Sequence, residues 1–242
     1  MSPGPGSLVV VGTGIGFARI TLEARAAIAA AEDVLYLVPD AVSEAALLEL
    51  SPQARSLAGL YEEGVSRRVA YEHMVEAILT PVRAGRRVCA AFYGHPGVFV
   101  LPSHEAIRRA RAEGFAAEML PGVSSEDCLV ADLGVDPAAS GWQSYEATKF
   151  LERRPAVEPG AALVLWQIGV VGSAKHTAEP VSPGLDALVD ALLALYPADH
   201  EVVVYEASSY PGIAPLVRPV RLERLAAAVT PASTLYVPPL AP

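Results

Sequence analysis

Leu8-Val9-Val10-Val11-Gly12-Thr13-Gly14-Ile15-Gly16 is the stretch that decides the fold. Its four apolar residues, three of them β-branched, read as a buried strand, and the glycines stop that strand by turning the backbone sharply. Working outward, Thr21 caps an alanine-rich helix to about Ala31, and Val34 to Val38 reads as a second strand. The alternation continues with a helix over Ser43 to Leu50 and another from Arg67 to about Leu79, which Pro81 helps to end. Tyr71, Met74, Val75 and Ile78 share one face of that second helix. Arg87 to Tyr93 is a strand running into Gly94-His95-Pro96-Gly97, followed by a helix over Ser103 to Glu113 and a strand over Ala116 to Leu120. Such βα alternation predicts a parallel, helix-covered sheet.

Pro121-Gly122 is the natural seam, giving an N-terminal α/β lobe over 1–120 and a C-terminal one over 121–242. The second half reads as a helix (Ser124 to Leu133), an irregular stretch, a strongly apolar strand (Ala161 to Val171), a helix (Pro183 to Leu195), a strand (Glu201 to Ala207) and a short closing strand (Leu235 to Val237). Two such lobes would leave a cleft, the usual place for a ligand.

Composition narrows the function. The chain has 242 residues, is 52% hydrophobic and only 19% charged, and its mean hydropathy is +0.34, which excludes a disordered or fibrous protein. The longest nearly unbroken uncharged stretch, Gly160 to Ala174, holds 15 residues, short of the roughly 20 a spanning helix needs. With no signal-peptide pattern at the N-terminus, a cytoplasmic location is expected. A net charge of −9 without a basic run argues against nucleic acid and against a membrane surface. Cys89 and Cys128 sit in apolar contexts and read as buried thiols, so no metal site is expected.

Strand–glycine turn–helix also invites a dinucleotide reading. Here the spacing is G-x-G-x-G with Phe17 where the third glycine of the fingerprint belongs, and Pro39 intervenes before Asp40 at the end of the next strand. The glycines therefore report a sharp turn rather than a nicotinamide site. Tyr93-Gly94-His95-Pro96-Gly97-Val98-Phe99 is richer, because it lies at a strand's carboxyl end, where open α/β sheets bind ligands. His95 by itself reads as a structural histidine at least as readily as a ligand. Arg67 and Tyr71, one helical turn apart, share the face that carries Met74 and Ile78 inward, with Tyr61 just upstream. An arginine there either snorkels at a helix end beside packing tyrosines or serves a cleft.

Several of these segments together resemble a known family. Val11-Gly12-Thr13-Gly14, Tyr93-Gly94-His95-Pro96-Gly97 and Pro121-Gly122-Val123-Ser124-Ser125 resemble motifs of the tetrapyrrole methylase superfamily. Within it, the segments Phe92 to Val100, Met119 to Cys128, Tyr145-Glu146-Ala147, Trp166 to Gly169 and Ser233 to Pro239 are similar to the borosin peptide backbone N-methyltransferases. The resemblance runs from about Leu8 to Pro239. It implies an α/β, two-lobed fold, each lobe a helix-covered mixed sheet, with S-adenosylmethionine bound in the cleft between them. It also implies that Tyr61, Arg67 and Tyr71 form the active-site set, with Tyr93 beside the methyl donor. The cofactor would be held at His95, Val98, Ser124, Gln167, Ala207, Ser233 and Thr234, with Gly12 and Phe99 from the same motifs.

The implied reaction is methylation of peptide amide nitrogens, with Arg67 lowering a tyrosine's pKa, Tyr71 as base and Arg67 stabilising the developing oxyanion. The sequence stops at Pro242 without the fused helical clasp and core peptide of many borosin enzymes, so the expectation is a split form acting on a separate precursor peptide, as a homodimer. A tetrapyrrole C-methyltransferase and a non-catalytic, cofactor-bound peptide-binding module are the competing expectations.

Overall fold

The computed structural model describes residues 6–61, 66–173 and 182–240. They divide into two compact units, one running to Asp127 and including Ser209–Ile213, the other comprising Cys128–Ser208 and the residues from Ala214 onward. The sequence reading put the seam at Pro121; the division instead falls within a helix, and a short later segment returns to the first unit.

The first unit holds β1 (Ser7–Gly12), α1 (Leu22–Ala30), β2 (Asp33–Leu37), α2 (Ala41–Leu50), β3 (Arg55–Ser56), α3 (Arg67–Arg83), β4 (Arg87–Phe92), α4 (Leu101–Ala112) and β5 (Ala116–Met119). The strands form one sheet in the order β3-β2-β4-β1-β5, and every pairing in it is parallel. Alternation along β1 sorts its side chains to two faces. Leu8 and Val10 pack with Met74, Ile78 and Leu79 of α3 and Ala106 of α4, while Val9 and Val11 join Ala24 and Ile28 of α1 and Leu47 of α2. Met74 and Ile78 are wholly buried, and truncating such a residue to alanine costs about 2–5 kcal/mol. Cys89 and Cys128 are both buried and are not joined in a disulfide. Local signals set the helix starts: the Ala24 amide donates to Thr21 Oγ1 at 3.1 Å, and Asp40 Oδ1 accepts from Val42 and Ser43. Pro81 does not end α3 at Leu79. It lies in the last turn, where a missing N–H costs one intrahelical bond, and the helix continues to Arg83.

The second unit takes in most of α5 (Ser125–Leu133), then α6 (Pro137–Ser140), β6 (Trp142–Glu146), α7 (Ala147–Arg153), β7 (Ala162–Trp166), α8 (Leu185–Leu193), β8 (Glu201–Glu206), β9 (Leu216–Arg221) and β10 (Thr234–Val237). Its sheet, ordered β6-β7-β10-β8-β9, is mixed: β6 and β7 are parallel, and the remaining pairs are antiparallel. Leu163, Leu165, Val202, Val204, Leu235 and Val237 pack against Phe150 of α7 and Leu188 and Leu192 of α8. The α/β two-lobed fold expected of the chain is therefore present, with the first sheet parallel and the second mixed.

Two sequence readings need correction here. The stretch after Leu133 read as irregular contains α6, β6 and α7. The apolar run from Ala161 to Val171 is a strand only over Ala162–Trp166; beyond Gln167 it becomes a buried 3-10 turn, Ile168–Val170. Hydrophobicity alone cannot tell a buried turn from a buried strand. No helix among the described residues is long and apolar enough to cross a membrane.

Candidate functional site

From β1 the chain crosses by α1 to β2 on one side, and from β4 by α4 to β5 on the other. Neighbouring strands whose connections diverge in this way define the switch point at which open α/β sheets bind ligands. The turns after β1 and β4 meet there. The Gly14 amide donates to the Gly94 carbonyl at 3.3 Å, and the Gly94 amide donates back at 2.8 Å, with both glycines at positive φ (76° and 70°). The turn after β5 joins them, so that a Cβ added to Gly122 would lie 2.7 Å from the Gly94 carbonyl oxygen and 2.9 Å from Gly12 Cα. Three of the motif segments are thus interlocked through atoms that only glycine leaves accessible.

The loop after β4 is anchored to α4. Ser103 Oγ donates to the Pro96 carbonyl, and His104 Nε2 lies 2.9 Å from the Gly97 carbonyl. His95 Nδ1 accepts the Gly97 amide at 2.9 Å, so in the neutral ring the hydrogen resides on Nε2. Phe99 occupies the left-handed region (φ 58°), a strained position for a non-glycine residue. Tyr93, Val98 and Phe99 are 45%, 38% and 49% exposed, a large share for apolar side chains in one loop. Ser124 is buried, and its amide and hydroxyl both donate to Asp127 Oδ2 at 2.7 Å. Its Oγ accepts from the Glu126 and Asp127 amides, so its first role is to cap α5 reciprocally with Asp127.

Tyr61, Arg67, Tyr71 and Tyr93 come together in the first unit. Arg67 and Tyr71 stand one turn apart at the start of α3, which Ser66 Oγ caps by accepting the Arg68 amide. The Tyr61 and Tyr71 rings meet edge to face, centroids 6.2 Å apart at 77°. Burial pushes the Tyr61 hydroxyl well above the usual phenol range, helped by the charge Tyr71 would carry and by a hydrogen bond to it, then by Tyr93; Arg67 pulls the other way. Tyr93 is also raised, first by the protein packed around it although nearly half its surface is open, then by Tyr71, again against the pull of Arg67. For these two tyrosines the expectation that Arg67 lowers the pKa is therefore corrected: its field has the expected sign, but desolvation outweighs it. Tyr61 and Tyr93 therefore hold their protons more firmly than an ordinary phenol.

In the second unit β10 runs antiparallel between β7 and β8, so the ends of β7 and β8 and the start of β10 lie at one sheet edge. Gln167, Ala207, Ser233 and Thr234 all fall there. Gln167 is exposed and left-handed (φ 61°, ψ 34°). Ser233 is fully buried, and its hydroxyl donates to Glu206 Oε1 at 2.9 Å. Trp166 Nε1 donates to Ser144 Oγ, and Glu146 caps α7 through the Thr148 and Lys149 amides, so those motif residues have structural roles. The sequence reading missed Asp127, Glu206 and Thr230. The Ser124-x-x-Asp127 spacing was a legible capping signal, whereas nothing local marked the other two.

Comparison with known proteins follows the same lines. A family model described as tetrapyrrole (corrin/porphyrin) methylases matches residues 7–225. Over 244 residues the chain is 43% identical to a methyltransferase/ribosomally synthesized cyclic peptide dendrothelin A precursor of Dendrothele bispora, covering 98% of this chain and 58% of that protein. It is also 43% identical over 247 residues to the corresponding omphalotin A precursor of Omphalotus olearius, again covering 98% of this chain and 58% of that protein. The chain thus spans somewhat more than half the length of these relatives. Among solved structures, uroporphyrin-III-C-methyltransferase from Thermus thermophilus aligns with a TM-score of 0.66 at 22% identity, covering 97% of this chain and 92% of that one. A cobalt precorrin-4 methyltransferase aligns at 0.69 and 18% identity, covering 96% and 94%. The stitched glycine turns, the α/β architecture and a match over nearly the whole chain lead to one statement: this protein belongs to the tetrapyrrole methylase family.

Proposed function

We propose that the chain is a methyltransferase that transfers methyl groups from S-adenosylmethionine to backbone amide nitrogens of a ribosomally made peptide, working as a cytoplasmic homodimer on a peptide supplied as a separate chain. The observation that carries this reading is the gathering of Tyr61, Arg67, Tyr71 and Tyr93 around one another in the first unit. The printed descriptions of the relatives, methyltransferases joined to cyclic-peptide precursors, support the substrate class.

The residues present suit the cofactor. The open faces of Tyr93, Val98 and Phe99 would take its apolar parts, His95 Nε2–H would donate to an anionic or hydroxyl oxygen, and Gln167 and Thr234 supply polar groups at the edge of the second sheet. When bound, S-adenosylmethionine supplies a methyl carbon on a positively charged sulfur, to which the broken bond's electron pair returns.

The chain's own task is harder. An amide nitrogen's lone pair is delocalised into its carbonyl, so the N–H proton must leave while charge collects on oxygen. Tyr71 is the base that takes that proton. Arg67 and the protonated hydroxyls of Tyr61 and Tyr93 donate to the imidate oxygen, and each such donor is worth about 2.7–4 kcal/mol where it is well placed. The nitrogen pair is then free to form the new C–N bond, and Tyr71 ends protonated, to be returned to solvent.

Intact-mass spectra of candidate precursor peptides, co-expressed with this chain, test the reading. Successive methyl increments on one peptide that vanish with Tyr71→Phe are expected. Peptides left unmodified while a porphyrinoid substrate gains methyl groups would transfer the assignment to tetrapyrrole chemistry.

A further inference from the structure

At the edge of the second sheet, two hydroxyls converge on one carboxylate oxygen. Ser233 Oγ donates to Glu206 Oε1 at 2.9 Å, and Thr230 Oγ1 donates to the same atom. Around this acceptor the turn 230–233 closes on itself. The Thr230 amide donates to Ser233 Oγ at 2.8 Å, the Ser233 amide to the Thr230 carbonyl at 3.1 Å, and the Ala232 amide to Thr230 Oγ1 at 3.3 Å. The same turn presses on the neighbouring loop: a Cβ added to Gly169 would collide with the Thr230 carbonyl oxygen and lie 2.7 Å from the Pro231 backbone. Gly169 sits in the 3-10 turn that follows left-handed Gln167. Ala207 is the residue after Glu206, and Thr234 the residue after Ser233.

The four second-unit candidates for cofactor contact therefore lie on or next to segments that meet around Glu206. We propose that Glu206 is a positioning residue, whose carboxylate fixes Ser233, Thr234 and, through Gly169, Gln167 in the arrangement that grips S-adenosylmethionine. The inference rests on the reading that the cofactor binds there. A side-chain oxygen with two lone pairs suits Glu206 to this task, because it can accept both hydroxyls at once. The carboxylate touches no reacting atom and acts through the turn alone.

Calorimetric titration of the full chain with S-adenosylhomocysteine, well below the thermal midpoint, tests it. Glu206→Ala should weaken binding about tenfold, in line with the loss of a charged acceptor, and in turnover the loss should fall on KM for the cofactor rather than on kcat. Glu206→Gln keeps a carbonyl oxygen able to accept both hydroxyls and should stay within about threefold of the parent. Should Glu206→Ala fail to fold, Thr230→Val decides instead, because it keeps the side chain's shape while removing one donor to Glu206, together with the acceptor of the Ala232 amide; a several-fold weakening supports the proposal. Parent-like binding in Glu206→Ala, or in Thr230→Val when that variant must decide, overturns the inference while leaving the cofactor reading intact. A loss confined to kcat overturns it too. A parent protein that does not bind S-adenosylhomocysteine overturns both.

Discussion

The edges of the two sheets are built by opposite means. At the first, the turns after β1, β4 and β5 are held by close backbone approach, with Gly12, Gly94 and Gly122 in contact because nothing projects from them. At the second, the turn before β10 is held by side chains, two hydroxyls on a carboxylate. An edge fixed by absent atoms should tolerate no addition, and an edge fixed by polar atoms should tolerate no subtraction. The first also carries a cluster of tyrosines around Arg67, the charge on which the proposed chemistry depends.

The comparison breaks most sharply at Arg67. Arg67→Ala should cut the methylation rate constant by about 10²–10³, the usual loss of an oxyanion donor, while leaving cofactor affinity unchanged by calorimetry; an unchanged rate would make the first edge a packing surface only. Next in size is Gly12→Ala. The added methyl would meet the Gly94 carbonyl oxygen, Pro96 Cδ at 2.9 Å and Gly122 Cα at 3.0 Å, so urea denaturation should show a loss of about 1–3 kcal/mol. Gly59→Ala, where nothing lies within 4 Å, should be close to neutral.

Alkali should sharpen the contrast with a smaller effect. Burial raises Cys89 from 9.0 to about 12, and burial with help from Glu44 raises Tyr36 from 10.0 to about 12. Both groups belong to the first unit. A raised folded-state pKa gives stability that is fully present below the unfolded value and is lost as pH climbs through the folded one. Stability should therefore fall from about pH 9 towards pH 12, with about 1.4 kcal/mol gone one unit above the free thiol's value. Cys89→Ala should flatten the early part of that decline in denaturation curves recorded at stepped pH.

Much of this was legible in the sequence where the determinants are local. The run from Leu8 to Gly16 announced a strand and its abrupt end, Thr21 announced a helix cap, and the four-residue step from Arg67 to Tyr71 placed both on one face with Met74 and Ile78. What stayed hidden depends on distant partners. Glu206 meets its hydroxyl donors 24 and 27 residues away, and no pattern along the chain predicts that. Gln167 lies inside an apolar run whose hydrophobicity masked a left-handed turn. β9 escaped notice because Arg218, Pro219 and Arg221 interrupt any strand pattern, as suits a sheet edge. Nearness in sequence groups Tyr61 with Arg67 and Tyr71, whereas resemblance alone adds Tyr93 to the cluster; only the fold brings both tyrosines within the field of the same arginine.

The pair of backbone hydrogen bonds between Gly14 and Gly94 has a consequence for how such a site can change over generations. Its floor is written in main-chain atoms, which substitution cannot retune without breaking the seam. Change is therefore channelled into side chains rather than into the glycines of the seam. An engineer reshaping the site should leave these glycines alone.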